Sequence, residues 1–227
     1  MKIVVFAPHP DDEIYGAGGS ILKWIEEGHD VHLVYVTDNR MLITWGRKEN
    51  KLIEKEAQEY LDLTEEEIGE IGLQEAIKVA RAFGLADNNF HLFKFHDQDA
   101  KNRIKEGIEL SKEIIKDADR IVIPSDNNSH PDHQSTHTMA KQAAIELNLS
   151  QTEFYVYGIN NIIKSPKNKQ IKIIIADYRD KAYDILSLYK TQLALIDSRY
   201  GWLTLKRKRS ERFGVFSLED AGNFYNF

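Results

Sequence analysis

Two short stretches concentrate the side chains able to do chemistry. "APHPDDE" closes an apolar run near the N-terminus and carries His9, Asp11, Asp12 and Glu13; "SHPDHQSTH" carries His130, Asp132, His133 and His137. His9 and Asp12 are three residues apart, as are His130 and His133, and at a helix start such positions share a face. Each pair can thus converge on one point while Asp11 aims elsewhere. Two imidazoles and one carboxylate, with no sulfur, suit a catalytic zinc that keeps a position open for water, and such a site suits amide hydrolysis. The remaining groups then have tasks. Asp11, beside a ligand, is suited to accept a proton from attacking water. His130 is suited to donate to the leaving amine or to stabilise an oxyanion, with Asp132 holding His130 in one tautomer.

The elements that must position these groups follow from the hydrophobic pattern. "KIVVFA", "DVHLVYVTD", "FHLFKF", "RIVIPS", "EFYVYG" and "QIKIIIAD" read as strands, several of them apolar on both faces. Helices are expected over Gly19 to Glu27, from a capping box at Thr64 and Glu67 to Phe83, over Ile104 to Lys116, Pro131 to Leu147 and Arg179 to Leu195. The alternation predicts an α/β fold: a Rossmann-like, doubly wound, mostly parallel sheet with helices on both faces. Ligands in such sheets bind beyond the carboxyl ends of the strands. Both histidine clusters fall there, and so do Asp38 and Asp97, which are expected to touch substrate. For His96 with Asp97 a strand-end structural role stays equally open.

Composition narrows the classes. The chain has 227 residues, a formal net charge of −6 and no cysteine. Disulfides, thiolate metal sites and a cysteine nucleophile are therefore excluded, and the acidic balance argues against a nucleic-acid binder. No stretch approaches the roughly 20 apolar residues of a membrane span. After Lys2 the apolar run is only Ile3 to Ala7, too short for a secretory signal, so a cytoplasmic location is the default expectation. Without repeats or linker-like tracts, residues 1–227 read as a single domain with an inserted helical segment around 41–70, either a surface helix or a substrate wall in which Trp45 stacks on a ring. A homo-oligomer stays open. "GAGG" (Gly16 to Gly19) does not match a phosphate loop and suits close helix–sheet packing. "LKRKRSER" (Leu205 to Arg212) reads as a solvated basic face.

Together "APHPDDE" and "HPDH" resemble the PIG-L/LmbE-like deacetylase family, the N-acetylglucosaminyl-phosphatidylinositol de-N-acetylase family, with weaker similarity at "VTD", "EAIKVARAFGL" and "YKTQ". The resemblance implies a Rossmann-like domain and zinc-dependent removal of acetyl from an N-acetylglucosamine-type sugar or conjugate, a small-molecule substrate. By motif position it makes His9, Asp12 and His133 the metal ligands, Asp11 the general base, His130 the acid or electrophile and Asp132 its tuner. Two positions depart from the family pattern: Gly72 stands where many members have arginine, and Tyr189 where they often have histidine. Arg40 and Arg47 are candidates to replace that arginine. The alternatives are an amidase acting on another sugar or thiol conjugate, a binding protein that keeps the metal without hydrolysis, and a receiver-like signalling module with Asp97 as phosphoacceptor. "HPDH" has no task in the last.

Overall fold

The β-branched and aromatic runs form the strands expected of them. The computed structural model describes residues 1–159 and 163–221. Among these the chain runs β1 (Lys2–Ala7), α1 (Asp12–Glu26), β2 (Asp30–Thr37), α2 (Leu42–Lys48), α3 (Glu54–Ala57), α4 (Glu65–Phe83), β3 (Phe90–Phe95), α5 (Ile104–Ile115), β4 (Arg120–Pro124), α6 (Pro131–Glu146), β5 (Glu153–Tyr157), β6 (Gln170–Ile174), α7 (Arg179–Leu186), α8 (Lys190–Leu193), α9 (Ile196–Arg207), β7 (Ser210–Phe216) and α10 (Leu218–Ala221). One sheet has the order β3-β2-β1-β4-β5-β7-β6. The first five strands in that row are parallel, and β7 lies antiparallel between β5 and β6. The chain therefore adopts the Rossmann-like, mostly parallel α/β architecture that its sequence predicts.

Strand β1 shows why the sheet is covered on both faces. Ile3, Val5 and Ala7 join a cluster with Ile14, Val79 and Ile185. Val4 and Phe6, pointing the other way, join Ile108, Met139 and Ala143. Alternate residues of a strand face opposite sides, so a strand buried twice must be apolar throughout. The strand order reverses between β1 and β4, which pair directly through Val4 and Ile121. This is the switch point at which open α/β sheets bind ligands. The two histidine motifs leave these two adjacent strands, and that adjacency brings together residues more than a hundred positions apart.

Helix α4 begins as expected: the Thr64 hydroxyl accepts from the Glu67 N–H at 3.2 Å, and the Glu67 carboxylate accepts from the Thr64 N–H at 2.9 Å. Three expectations need correction. Helix α1 starts at Asp12 rather than Gly19, so "GAGG" lies inside it; a Cβ on Gly16 would come within 2.4 Å of the Tyr157 ring, the close packing that glycine permits. The expected helix from Arg179 to Leu195 is interrupted after Leu186, and α8 starts afresh at Lys190. The carboxylate of Glu75 accepts the N–H groups of Lys190 and Thr191 at 2.7 and 3.1 Å, capping α8 from another helix. Finally, the basic run is no solvated face throughout. Leu205 is buried, and β7, absent from the predicted strands, begins at Ser210. Fully buried Glu211 accepts from the N–H groups of Gly19 and Ser20 at 3.1 and 2.8 Å, and Lys208 donates to the Tyr15 carbonyl at 2.7 Å. The pair clamps the middle of α1.

Residues 41–70 form α2, α3 and the first turn of α4. Ile43, Ala57, Tyr60 and Ile68 pack with Ala194 into a satellite cluster, and Trp45 is 38% exposed. Arg40 is committed to Asp38 and Glu66, and Arg47 donates to the Leu61 carbonyl. Among the described residues, no helix is long and apolar enough to cross a membrane.

Candidate active site

At the mouth between β1 and β4, one carboxylate oxygen faces two imidazoles. Oδ2 of Asp12 lies 3.1 Å from Nδ1 of His9 and 3.3 Å from Nε2 of His133, and all three residues are buried. Asp12 opens α1 and His133 lies in the first turn of α6, so the two motifs supply the cluster from two helix starts. Burial alone would raise the Asp12 pKa, but His133 and His9 hold it below the ordinary carboxylate range. Burial pushes His133 down to about 4, a neutral ring with a lone pair to offer. At His9 burial opposes charge, yet bonds to Asp12, Asp132 and Asp97 raise its pKa well above the usual value. The carboxylates thus favour positive charge where these three side chains meet.

Behind His9 sits a second layer. Its other nitrogen, Nε2, lies 3.2 Å from Asp132 and 3.3 Å from Asp97. Ligating histidines characteristically hold their outer nitrogen this way, which leaves Nδ1 to face Asp12. His9, Asp12 and His133 offer two nitrogens and one oxygen within 4.8 Å of one another, a donor set that fits a divalent cation of the zinc type. His9, Asp97, His130 and Asp132 also cluster within that distance. There, however, Asp132 is already spent: it accepts the N–H groups of Gln98 and Ala100 at 2.6 and 3.2 Å, tying α6 to the loop after β3.

The geometry adds detail to three expected roles. Asp132 approaches Nδ1 of His130 only to 4.0 Å; it is its backbone N–H that bonds that nitrogen, at 3.3 Å. The bond requires an unprotonated Nδ1 and leaves the proton of the neutral ring on Nε2. Burial, followed by the charge of His9, lowers the His130 pKa and keeps that neutral form. Asp38 and Asp97, expected to touch substrate, have partners within the protein. Buried Asp38 accepts from the Arg40 side chain and from the Asp97 N–H at 3.2 Å, and Asp97 in turn accepts from the Met41 N–H at 3.3 Å. Their contacts run to the protein and support His9. His137 is a helix residue, as expected, bonded to the Pro124 carbonyl at 2.9 Å.

Asp11 differs from its neighbour. It caps α1 at φ 120°, a conformation rarely adopted by a non-glycine residue. Among the described residues no group hydrogen-bonds its carboxylate. Burial, then the charges of Asp12 and Glu13, raise its pKa well above the usual value. Gly72 packs on this edge as well: a Cβ there would meet the Asp38 carbonyl at 2.7 Å, so no arginine enters without displacing the end of β2. Sequence reasoning missed the contacts of buried Glu13, of exposed Gln98, whose backbone N–H donates to Asp132 at 2.6 Å, and of half-buried Asn128, whose side chain accepts the His130 N–H at 2.9 Å. Each acts through backbone or long-range contacts that no local spacing announces.

Fold and site together define a Rossmann-like α/β domain with a His/Asp/His donor set at its switch point. The chain belongs to the PIG-L family: the family model described as GlcNAc-PI de-N-acetylase matches residues 4–144. Among solved structures it is similar to the N,N'-diacetylchitobiose deacetylase of Pyrococcus horikoshii, with TM-score 0.71 and 19% identity over 97% of this chain and 85% of that one. The A40926 pseudoaglycone deacetylase Dbv21 gives TM-score 0.70 and 16% identity, covering 95% and 97%. GalB, the 4-carboxy-2-hydroxymuconate hydratase of Pseudomonas putida KT2440, gives 0.66 and 15%, covering 96% and 95%. A glucosamine-6-phosphate deaminase-like protein of Bacteroides thetaiotaomicron is 36% identical over 42 residues; that match spans 18% of this chain and only 6% of the relative's length.

Proposed function

We propose that the protein is a metal-dependent hydrolase that removes the acetyl group from an N-acetylated amino sugar or its conjugate, of the N-acetylglucosamine type. The observation that carries this reading is the carboxylate oxygen of Asp12 flanked by His9 Nδ1 and His133 Nε2, beside an Asp11 carboxylate with no hydrogen bond from the described residues. Membership of a family described by a de-N-acetylase, and likeness to two deacetylases, support the substrate class.

His9, Asp12 and His133 would hold a zinc-type cation, which when bound polarises a carbonyl and acidifies water. The chain's own residues do the rest. Asp11 accepts a proton as water adds to the amide carbon, its carboxylate free of hydrogen bonds from the described residues. Nε2–H of His130 donates to the oxygen that gains negative charge as that carbon becomes tetrahedral. The C–N bond then breaks, the amine leaves with a proton returned from Asp11, and acetate remains. Asp132 keeps Nε2 of His9 occupied and so orients its ring, with the Asp97 carboxylate nearby at 3.3 Å.

The test is acetate release by the zinc-loaded protein from free GlcNAc, chitobiose, and nucleotide-linked and thiol-linked GlcNAc, alongside metal analysis expecting about one zinc per chain. Acetate detection decides the matter because the same fold hosts a hydratase in GalB. Metal binding without acetate from any of these substrates would leave a binding protein and end the proposal.

A further inference from the structure

Glu13 is the third carboxylate of "APHPDDE", and the chemistry above does not use it. It is completely buried. Its Oε1 accepts from the Tyr189 hydroxyl at 2.7 Å and from the Tyr35 hydroxyl at 3.3 Å, while Oε2 accepts the backbone N–H of Asp11 at 3.1 Å. That N–H belongs to the residue held at φ 120°. Such strain persists only where surrounding structure over-determines it. Tyr189 is delivered by the break between α7 and α8, the break that Glu75 sustains by capping α8. Tyr189 is itself wholly buried, so its hydroxyl reaches Glu13 and no ligand.

We propose that Tyr189 is a positioning residue: through Glu13 it pins the Asp11 peptide, and so aims a carboxylate that no described side chain or backbone group holds directly. This rests on Asp11 acting as the base in the deacetylation proposed above. Asp11 is attached to the protein by its peptide alone, so the tyrosine–glutamate link substitutes for the side-chain hydrogen bonds that usually orient a catalytic base. An imidazole N–H at this position can donate to the same oxygen.

The experiment compares wild type with Tyr189→Phe, Tyr189→His and Glu13→Gln, with zinc loaded. Tyr189→Phe should lower kcat about tenfold, with KM and bound zinc unchanged within twofold, because a misaimed base slows chemistry without weakening binding. Tyr189→His should restore most of that loss. Glu13→Gln should lower kcat further and speed hydrogen exchange of the Asp11 amide by about tenfold or more, since the one amide oxygen left is claimed by the hydroxyls of Tyr189 and Tyr35 and the NH2 group then faces the Asp11 N–H, which it cannot accept. The exchange measurement needs no substrate, so it separates two failures. Wild type that releases no acetate, with Asp11 exchange still accelerated in Glu13→Gln, would sink the proposed function and leave the pinning intact. Unchanged exchange in Glu13→Gln, kcat within twofold of wild type in Tyr189→Phe, or zinc lost in step with kcat would each overturn the positioning role.

Discussion

The carboxylate of Asp132 lies 3.2 Å from Nε2 of His9, a residue 123 positions away in the chain, but 4.0 Å from the imidazole of His130 only two positions away. The nearer neighbour in sequence is the more distant partner in space. The carboxylate of Asp132 thus contacts His9, while its peptide N–H contacts Nδ1 of His130.

From this contact we expect Asp132→Asn to weaken zinc affinity about 10- to 100-fold, since outer-layer partners of ligating histidines are worth that much. Competition with a chromogenic chelator measures it. Asp132→Ala should also lower stability by about 1–3 kcal/mol, because the N–H groups of Gln98 and Ala100 lose their buried acceptor. If zinc affinity is the same in Asp132→Asn and wild type, the link to His9 has no consequence.

The adjacent aspartates should fail differently. Asp12→Ala removes a donor and should leave the protein without zinc by elemental analysis. Asp11→Asn should keep zinc and lose about 10²- to 10⁴-fold in turnover, the usual worth of a general base. Asp11→Gly should be equally inactive yet more stable than Asp11→Asn by about 1 kcal/mol, since glycine tolerates φ 120° without strain. Thermal unfolding of the two variants checks the last point.

Glu211 is the buried charge whose removal should cost most outside the site. It accepts from Gly19 N–H, Ser20 N–H and the Ser20 hydroxyl, the last at 2.5 Å, with Lys208 at 3.5 Å. Glu211→Ala leaves those donors and a half-compensated ammonium behind and should destabilise by about 3 kcal/mol in urea titration. A double variant with Lys208→Met should recover part of that, because the stranded charge goes with it.

His137 sets a pH dependence of folding. Burial drives it from 6.5 down to about 4, and its ring donates to the Pro124 carbonyl in neutral form. Between those values the unfolded chain binds more protons than the folded one, so stability rises with pH. The contribution is complete above about 6.5 and fades as pH falls toward 4, by roughly 3 kcal/mol in all. Urea titrations of the chelator-treated protein at neutral and mildly acid pH should show a shallower fall in His137→Asn than in wild type. Parallel curves would remove His137 from the account.

Much of the fold was legible because its signals are local. Thr64 and Glu67 announce a helix start through bonds spanning three residues, and the runs at β1, β2 and β4 announce buried strands through β-branched residues on both faces. Strand β7 was illegible because its buried Glu211 looks like surface until Gly19 and Ser20 are seen against it. The break before α8 was illegible because its cap, Glu75, comes from a helix 115 residues earlier.

What the sequence determined by itself is the membership of the candidate site proposed here: His9, Asp11 and Asp12 at one strand end, His130, Asp132 and His133 at another, each group shaped by spacing within one helical turn. Only the tertiary structure decided which carboxylate lies against which imidazole, and that Glu13, at the start of α1, is buried and accepts the Asp11 N–H. The physical reason is range. Backbone geometry correlates neighbours across about four residues, whereas these pairings depend on β1 and β4 lying side by side and on how α1, α4 and α8 pack across their ends.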